Sequence, residues 1–318
     1  MKDQYKAVSL ALLAVLFWST AGSAFKLTLS LTTPVAMLLI SGMVALIVLG
    51  AMAIKAYSWR TVFRLSHRQW LMSALMGALN PFLYYAILFV AYDRLLAQEA
   101  LVLNYLWPVI LVALSVPLLG QSLRWNQALG IFVSFLGTLV IATQGNPQSF
   151  RFTDAPGVAL AAGSALIWAL YWILNMKDGR DSLPKLFLNF CFGTAYILIY
   201  FLISGTPWPE DPLAWAGSAY IGLFEMGFTF ALWMGALKLA HNTASVSNLI
   251  FLSPLISLFW VHLTVGEQIL GSTWWGLVLI LGGIGLQQKL RRKASVYQGT
   301  TGNSPGIAQS GDATDRST

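Results

Sequence analysis

The 318-residue sequence predicts an all-α integral membrane protein, with ten transmembrane helices arranged as two inverted five-helix repeats. Three observations carry that expectation. Hydrophobic residues make up 57% of the chain and charged residues 10%, against about 25% charged in a soluble domain. A chain this poor in charge has no skin to present to water, so its outer surface must face lipid. Apolar stretches near bilayer length recur from end to end, and one of those stretches occurs twice.

The apolar spans fall at 7–25, 34–54, 70–92, 95–118, 126–143, 155–175, 184–204, 213–237, 240–263 and 271–288, most of them near the roughly 20 residues that cross a bilayer. Short turn-rich loops separate them, such as Thr33-Pro34, Gly145-Asn146-Pro147 and Pro207-Trp208-Pro209,. The first span follows Lys2 and Lys6 and runs into small residues at Ala21 to Ala24, as a signal peptide would,. It is long enough to cross the bilayer, however, and its Trp18 has a counterpart in Trp168 of the sixth span,. A retained first helix is expected.

Leu103 to Gly137 and Leu249 to Gly283 are the two copies. Pro108 matches Pro254, Gly120 matches Gly266, Gly130 matches Gly276 and Gly137 matches Gly283, each pair 146 positions apart. Proline and glycine fix backbone geometry rather than fill space, so registered matches of this kind point to duplication. Basic residues set the orientation. With the N-terminus in the cytoplasm, 15 of the 19 Lys and Arg residues fall in cytoplasmic segments, and basic loops resist translocation. Both termini are therefore expected inside. Five helices per half is an odd number, so the second half enters the membrane upside down, which is the ground plan of many secondary transporters. The expected divisions are residues 1–147, the inverted repeat 148–293, and a disordered cytoplasmic tail 294–318 rich in Gly, Ser, Thr and Asp,.

The net charge of +7 is that loop bias and gives no reason to expect a nucleic-acid partner, because basic runs interleaved with aromatics are absent,. Cys191 is the only cysteine and lies in an apolar run, and His67, His241 and His262 have no metal-ligand spacing,. No metal, cofactor or nucleotide loop is expected. A transporter needs instead a polar and aromatic cavity near the midplane, with helix breaks that let its walls move.

Mid-span residues supply the candidates. Trp18 and Trp168 lie far from span ends, where belt aromatics sit,; they either line a cavity or pack in the bundle. Asn80 and Tyr84 share a regular helix face around Pro81, whereas Tyr85 points elsewhere,. Asn104, Tyr105, Trp107 and Pro108 form the densest polar and aromatic cluster; on a regular helix Tyr105 would turn about 100° away from Asn104. In the second copy, Asn248 precedes a break at Pro254. Glu225 is the only carboxylate deep in a span and stands 146 positions from Leu79. Burying it charged costs about 2.5 kcal/mol or more, so it is protonated, hydrated or hydrogen-bonded, and it is the candidate for proton coupling. Glu99 lies nearer the outer end and reads as an interface or gate residue. Gly42, Gly130, Gly137, Gly276, Gly282 and Gly283 are expected to let helices approach closely,.

The ten spans, the duplicated Pro…Gly-Gln/Glu…Gly…Gly pattern and the run Ala244-Ser-Val-Ser-Asn-Leu before Pro254 resemble the drug/metabolite transporter superfamily, in its EamA-domain branch. The run Asn104-Tyr105-Leu106-Trp107-Pro108, after Ala97-Gln98-Glu99, is similar to the aromatic amino acid exporters of YddG type. Gln121 departs from the pattern, standing where the second copy has Glu267. The resemblance implies export of amino acids across a bacterial inner membrane, through a cavity between the two halves, by a chain that works as a monomer among lipids. The alternative is a drug or other metabolite carrier of the same superfamily; the first and sixth spans hold no carboxylate, which weakens a proton-driven cation extruder of the small multidrug kind. A membrane-embedded enzyme would need a nucleophile, metal or acid/base cluster near one membrane face, and the sequence offers none.

Overall fold

In the computed structural model, residues 2–120, 125–142, 144–146, 154–240 and 248–300 are described, and among them the secondary structure is helical throughout. Seven helices are long and apolar enough to cross a membrane: Asp3–Leu29, Pro34–Ala56, His67–Arg94, Ala97–Leu118, Ala155–Asn175, Ser182–Ser204 and Pro212–Leu239. Ala128–Thr138, Leu252–Val265 and Gly271–Leu286 form shorter apolar helices.

Local chemistry sets the helix ends. α1 spans Lys2–Leu29 and α2 spans Pro34–Ala56. The Thr33 hydroxyl accepts the Ala36 N–H at 3.3 Å and Pro34 begins the helix with its φ already fixed,. After the short α3 (Trp59–Phe63), Ser66 and Gln69 close a capping box on α4 (His67–Gly77),. The π-helical stretch Ala78–Leu83 joins α4 to α5 (Tyr84–Arg94). Pro81 removes a backbone donor there, and Asn80 takes extended dihedrals (φ −147°, ψ 122°) ahead of a cis peptide bond,. α6 (Ala97–Asn104) ends in a turn at Tyr105-Leu106, and α7 (Trp107–Leu119) begins with Pro108 in its first turn. The expected 95–118 span is thus two helices, with the break just upstream of the proline. α8 spans Trp125–Ala142, α9 Ala155–Lys177 and α10 Ser182–Ser204. α11 (Pro212–Tyr220) leads through a second π-helical stretch, Ile221–Gly227, into α12 (Phe228–Leu239). A 3-10 turn at Asn248–Phe251 precedes α13 (Leu252–Trp260), whose third residue is Pro254, and α14 runs Gly271–Thr300.

The registered glycines have two uses. Gly120 and Gly266 follow the ends of their helices with φ of 65° and 78°, the left-handed region that a side chain rarely adopts,. The others hold α8 against α14. A Cβ on Gly137 would stand 2.6 Å from the Gly276 carbonyl oxygen, and one on Gly276 would stand 2.8 Å from the Gly137 oxygen. A Cβ on Gly283 would press on the Gly130 oxygen. Ser134 Oγ donates to the Ile280 carbonyl, exactly one repeat length away in sequence, at 3.3 Å. Exchanging each residue for its partner 146 positions away maps these contacts onto one another.

Candidate functional site

A cavity of about 100 Å³ opens between α1, α5, the α6–α7 break, α9, the second π-helical stretch and α12. Nine of the sixteen lining residues are aromatic: Trp18, Phe25, Tyr84, Tyr92, Tyr105, Trp107, Trp168, Trp172 and Trp233. Ring contacts hold the wall rigid. Trp168 lies between Tyr84 (centroids 4.6 Å apart) and Tyr171 (5.5 Å), stacked on both, and Phe230 meets it edge-on at 5.7 Å. Trp18 packs against Phe230 and Trp233 at 5.9 and 5.4 Å.

The polar groups have defined partners. Tyr84 Oη donates to Asn104 Oδ1 at 3.2 Å, and Asn104 Nδ2 donates to Ser164 Oγ at 2.9 Å. Glu225 lines the cavity. Its Oε1 accepts the Tyr85 hydroxyl at 3.0 Å, while its Oε2 is buried without a partner.

One end of the cavity is sealed. Lys26 Nζ donates to the carbonyls of Tyr92 and Leu95 at 2.9 and 2.8 Å. Glu267 accepts the Ala97 and Gln98 N–H groups at 2.8 and 3.3 Å. The buried Gln98 amide donates to the Gln268 carbonyl at 3.0 Å and accepts from Leu270 N–H and Thr273 Oγ1 at 2.9 and 2.8 Å. Beside this end Phe25, Leu88 and Tyr92 are buried, whereas Trp18, Trp107 and Trp172 towards the other end are half-buried.

Of the residues the sequence put forward, Trp18, Tyr84, Asn104, Tyr105, Trp107, Trp168 and Glu225 line this cavity. One expectation needs correction. Asn80 does not line it: the extended backbone before Pro81 takes the side chain off the Tyr84 face and buries it, unpartnered, beside Tyr171. Tyr85, one position on from Tyr84 in α5, stays out of the lining, and its hydroxyl holds Glu225 from behind. Tyr105 shares a wall with Asn104 and Trp107, because the chain turns at Tyr105-Leu106 instead of continuing a helix. Glu99 stays outside the cavity: Oε2 accepts the Leu96 N–H at 3.4 Å and Oε1 accepts from Gln144 Nε2 at 3.0 Å, a cap and a tie at the sealed end. The Asn248 side chain, His241 and Gln121 lie outside the described residues. Phe25, Tyr92, Trp172 and Trp233 were missed. Trp172 follows Trp168 by four positions and Phe25 follows Trp18 by seven, so helical periodicity alone places each beside a chosen residue.

The EamA-like transporter family matches this chain twice, over residues 5–143 and 155–287. The chain belongs to that family. It is a multi-pass membrane transporter of the drug/metabolite transporter superfamily. Relatives include the aromatic amino acid exporter YddG of Ancylobacter novellus, 26% identical over 66% of this chain and 73% of its own length. YddG of Escherichia coli is 24% identical over 62% and 73%. YvbV of Bacillus subtilis, an uncharacterized transporter, is 27% identical over 93% and 97%. A solved crystal structure shares the fold, with a TM-score of 0.64 at 22% identity, covering 92% of this chain and 99% of its own.

Proposed function

We propose that this protein exports amino acids, aromatic and other neutral ones, across a bacterial inner membrane by alternating access. The observation that carries the reading is the aromatic cavity in a chain of this family. Stacked rings accept an apolar or aromatic side chain, and the hydroxyl and carboxylate groups among them meet polar ends. The names of two relatives point to the same cargo.

The cavity lies between two inverted repeats, residues 1–147 and 148–293, with both termini in the cytoplasm and the tail from 294 beyond them. Two findings support the duplication: the family matches once in each half, and the glycine contacts of α8 and α14 are unchanged when the halves are exchanged. Alternating access follows from that symmetry, since each half can take up the arrangement of the other. In the present arrangement the Gln98–Glu267 end, external by this topology, is shut. The chain acts as a monomer, with the whole cavity built from one copy.

Uptake of labelled Phe, Thr and Met into proteoliposomes, with and without a pH gradient, tests the reading. Saturable uptake that Trp107→Ala or Trp168→Ala lowers, while the protein still inserts, is the expected result. Undiminished uptake by both variants excludes this wall.

A further inference from the structure

The cavity holds one carboxyl group and no basic side chain. Among the described residues that line it, Glu225 is the only ionisable group besides the tyrosines, and there is no Lys, Arg or His. Lys26, near the sealed end, is held by two backbone carbonyls, and Lys238 beyond Trp233 is exposed. The Asn104 amide is engaged on both its oxygen and its nitrogen. Nothing in this lining offers a carboxylate an ion pair. Carboxylates in recognition sites are ordinarily met by a guanidinium or by several fixed N–H donors; here the Trp172 indole N–H is the single buried, unpartnered donor among the described lining residues.

A cation meets the opposite conditions. Glu225 Oε1 is steadied by the Tyr85 hydroxyl, and Oε2 has no partner. Trp18 and Trp233 line the same cavity, and indole faces attract an ammonium. A carboxylate within an aromatic cage is the arrangement that recognises an amine.

Resting on the transport site just proposed, we infer that Glu225 is the ammonium-recognising residue of the cavity, and that the cargo is an apolar or aromatic primary amine whose carboxylate is not required. Amino acids satisfy this through the α-ammonium. Aromatic amines lacking a carboxylate satisfy it as well or better.

Four probes of nearly one shape separate the possibilities: phenethylamine (cation), phenylalanine (zwitterion), 2-phenylethanol (neutral) and 3-phenylpropionate (anion). Binding to the purified full-length protein is read from quenching of tryptophan fluorescence. Wild type is expected to bind phenethylamine at least as tightly as phenylalanine and about tenfold or more tighter than phenylethanol, with phenylpropionate weakest. Glu225→Gln keeps the shape and an oxygen to accept the Tyr85 hydroxyl but cannot ionise when an ammonium binds. It is expected to bring the amine-to-alcohol ratio to within about twofold while alcohol binding persists, a change that a purely structural role would not produce. Tyr85→Phe, which keeps the carboxylate, is expected to lower the ratio only partway. Phenylpropionate binding as well as phenethylamine to wild type overturns the inference and leaves the transport site standing. An amine preference unchanged in Glu225→Gln does the same. Failure of all four probes to bind wild type overturns the site itself.

Discussion

Two helices break at corresponding places and do different things with the break. Leu79-Asn80-Pro81 and Glu225-Met226-Gly227 stand 146 positions apart, each in a π-helical interruption of a long apolar helix. In the first, Pro81 lies against Gly193, and Asn80 is buried beside Tyr171 with no hydrogen bond on either amide atom. In the second, the irregularity ends at Gly227, which packs against Val48, and Glu225 faces the cavity. The first break packs its polar residue away from the cavity, and the second turns its polar residue towards it. A helix break by itself is therefore no sign of a binding site. What decides is the side of the helix to which it turns its polar residue.

The largest effect expected from testing this contrast is at Gly193. A Cβ there would press into the Pro81 ring and stand 2.8 Å from the Gly77 oxygen. Gly193→Val is expected to abolish the monodisperse peak in size-exclusion chromatography, in the class of overpacked cores that lose several kcal/mol. Gly163→Ala, with nothing within 4 Å of the added Cβ, should leave the peak unchanged. Next comes a paired substitution. Glu225→Gln should lower proteoliposome uptake of phenethylamine about tenfold or more. Asn80→Leu removes two unpartnered buried groups and should leave uptake within about twofold, with melting temperature equal or higher,. Loss of uptake in Asn80→Leu without loss of stability would break the contrast.

The smallest effect lies outside the membrane. Burial opposes ionisation of Asp178, but its hydrogen bonds from Arg180, the shortest at 2.6 Å, outweigh this and hold the carboxyl below the usual carboxylate range. Arg180 in turn donates to Ser73 at 2.9 Å, tying α4 to the α9–α10 turn. A depressed native pKa stabilises above the unfolded carboxylate pKa and is lost as pH falls through the native one. Asp178→Asn is therefore expected to lower the melting temperature by a few degrees at neutral pH. That difference should vanish in acid, as followed by a thermal-shift series.

Much of the membrane architecture was legible because it depends on composition and on residues that fix the backbone. The charge-poor spans, the turns after Gly120 and Gly266 and the break near Pro108 all follow from such signals. The site was legible only as far as helices stay regular. Trp18 and Trp168 needed no rotation argument. Asn80 departs from its expected face because it lies in an irregular turn, where about 100° per residue no longer holds,. The second π-helical stretch carries no proline to announce it. Its only signal was a carboxylate in the middle of an apolar span.

The central claim is that the cavity around Glu225 is the transport path, reached from each side of the membrane in turn. Ala21 lines it, and Cys191 is the only cysteine. In an Ala21→Cys, Cys191→Ser background, a membrane-impermeant maleimide added to oriented vesicles should label the new cysteine from either face, and phenethylamine should slow both reactions. Labelling confined to one face and indifferent to the amine would contradict the account.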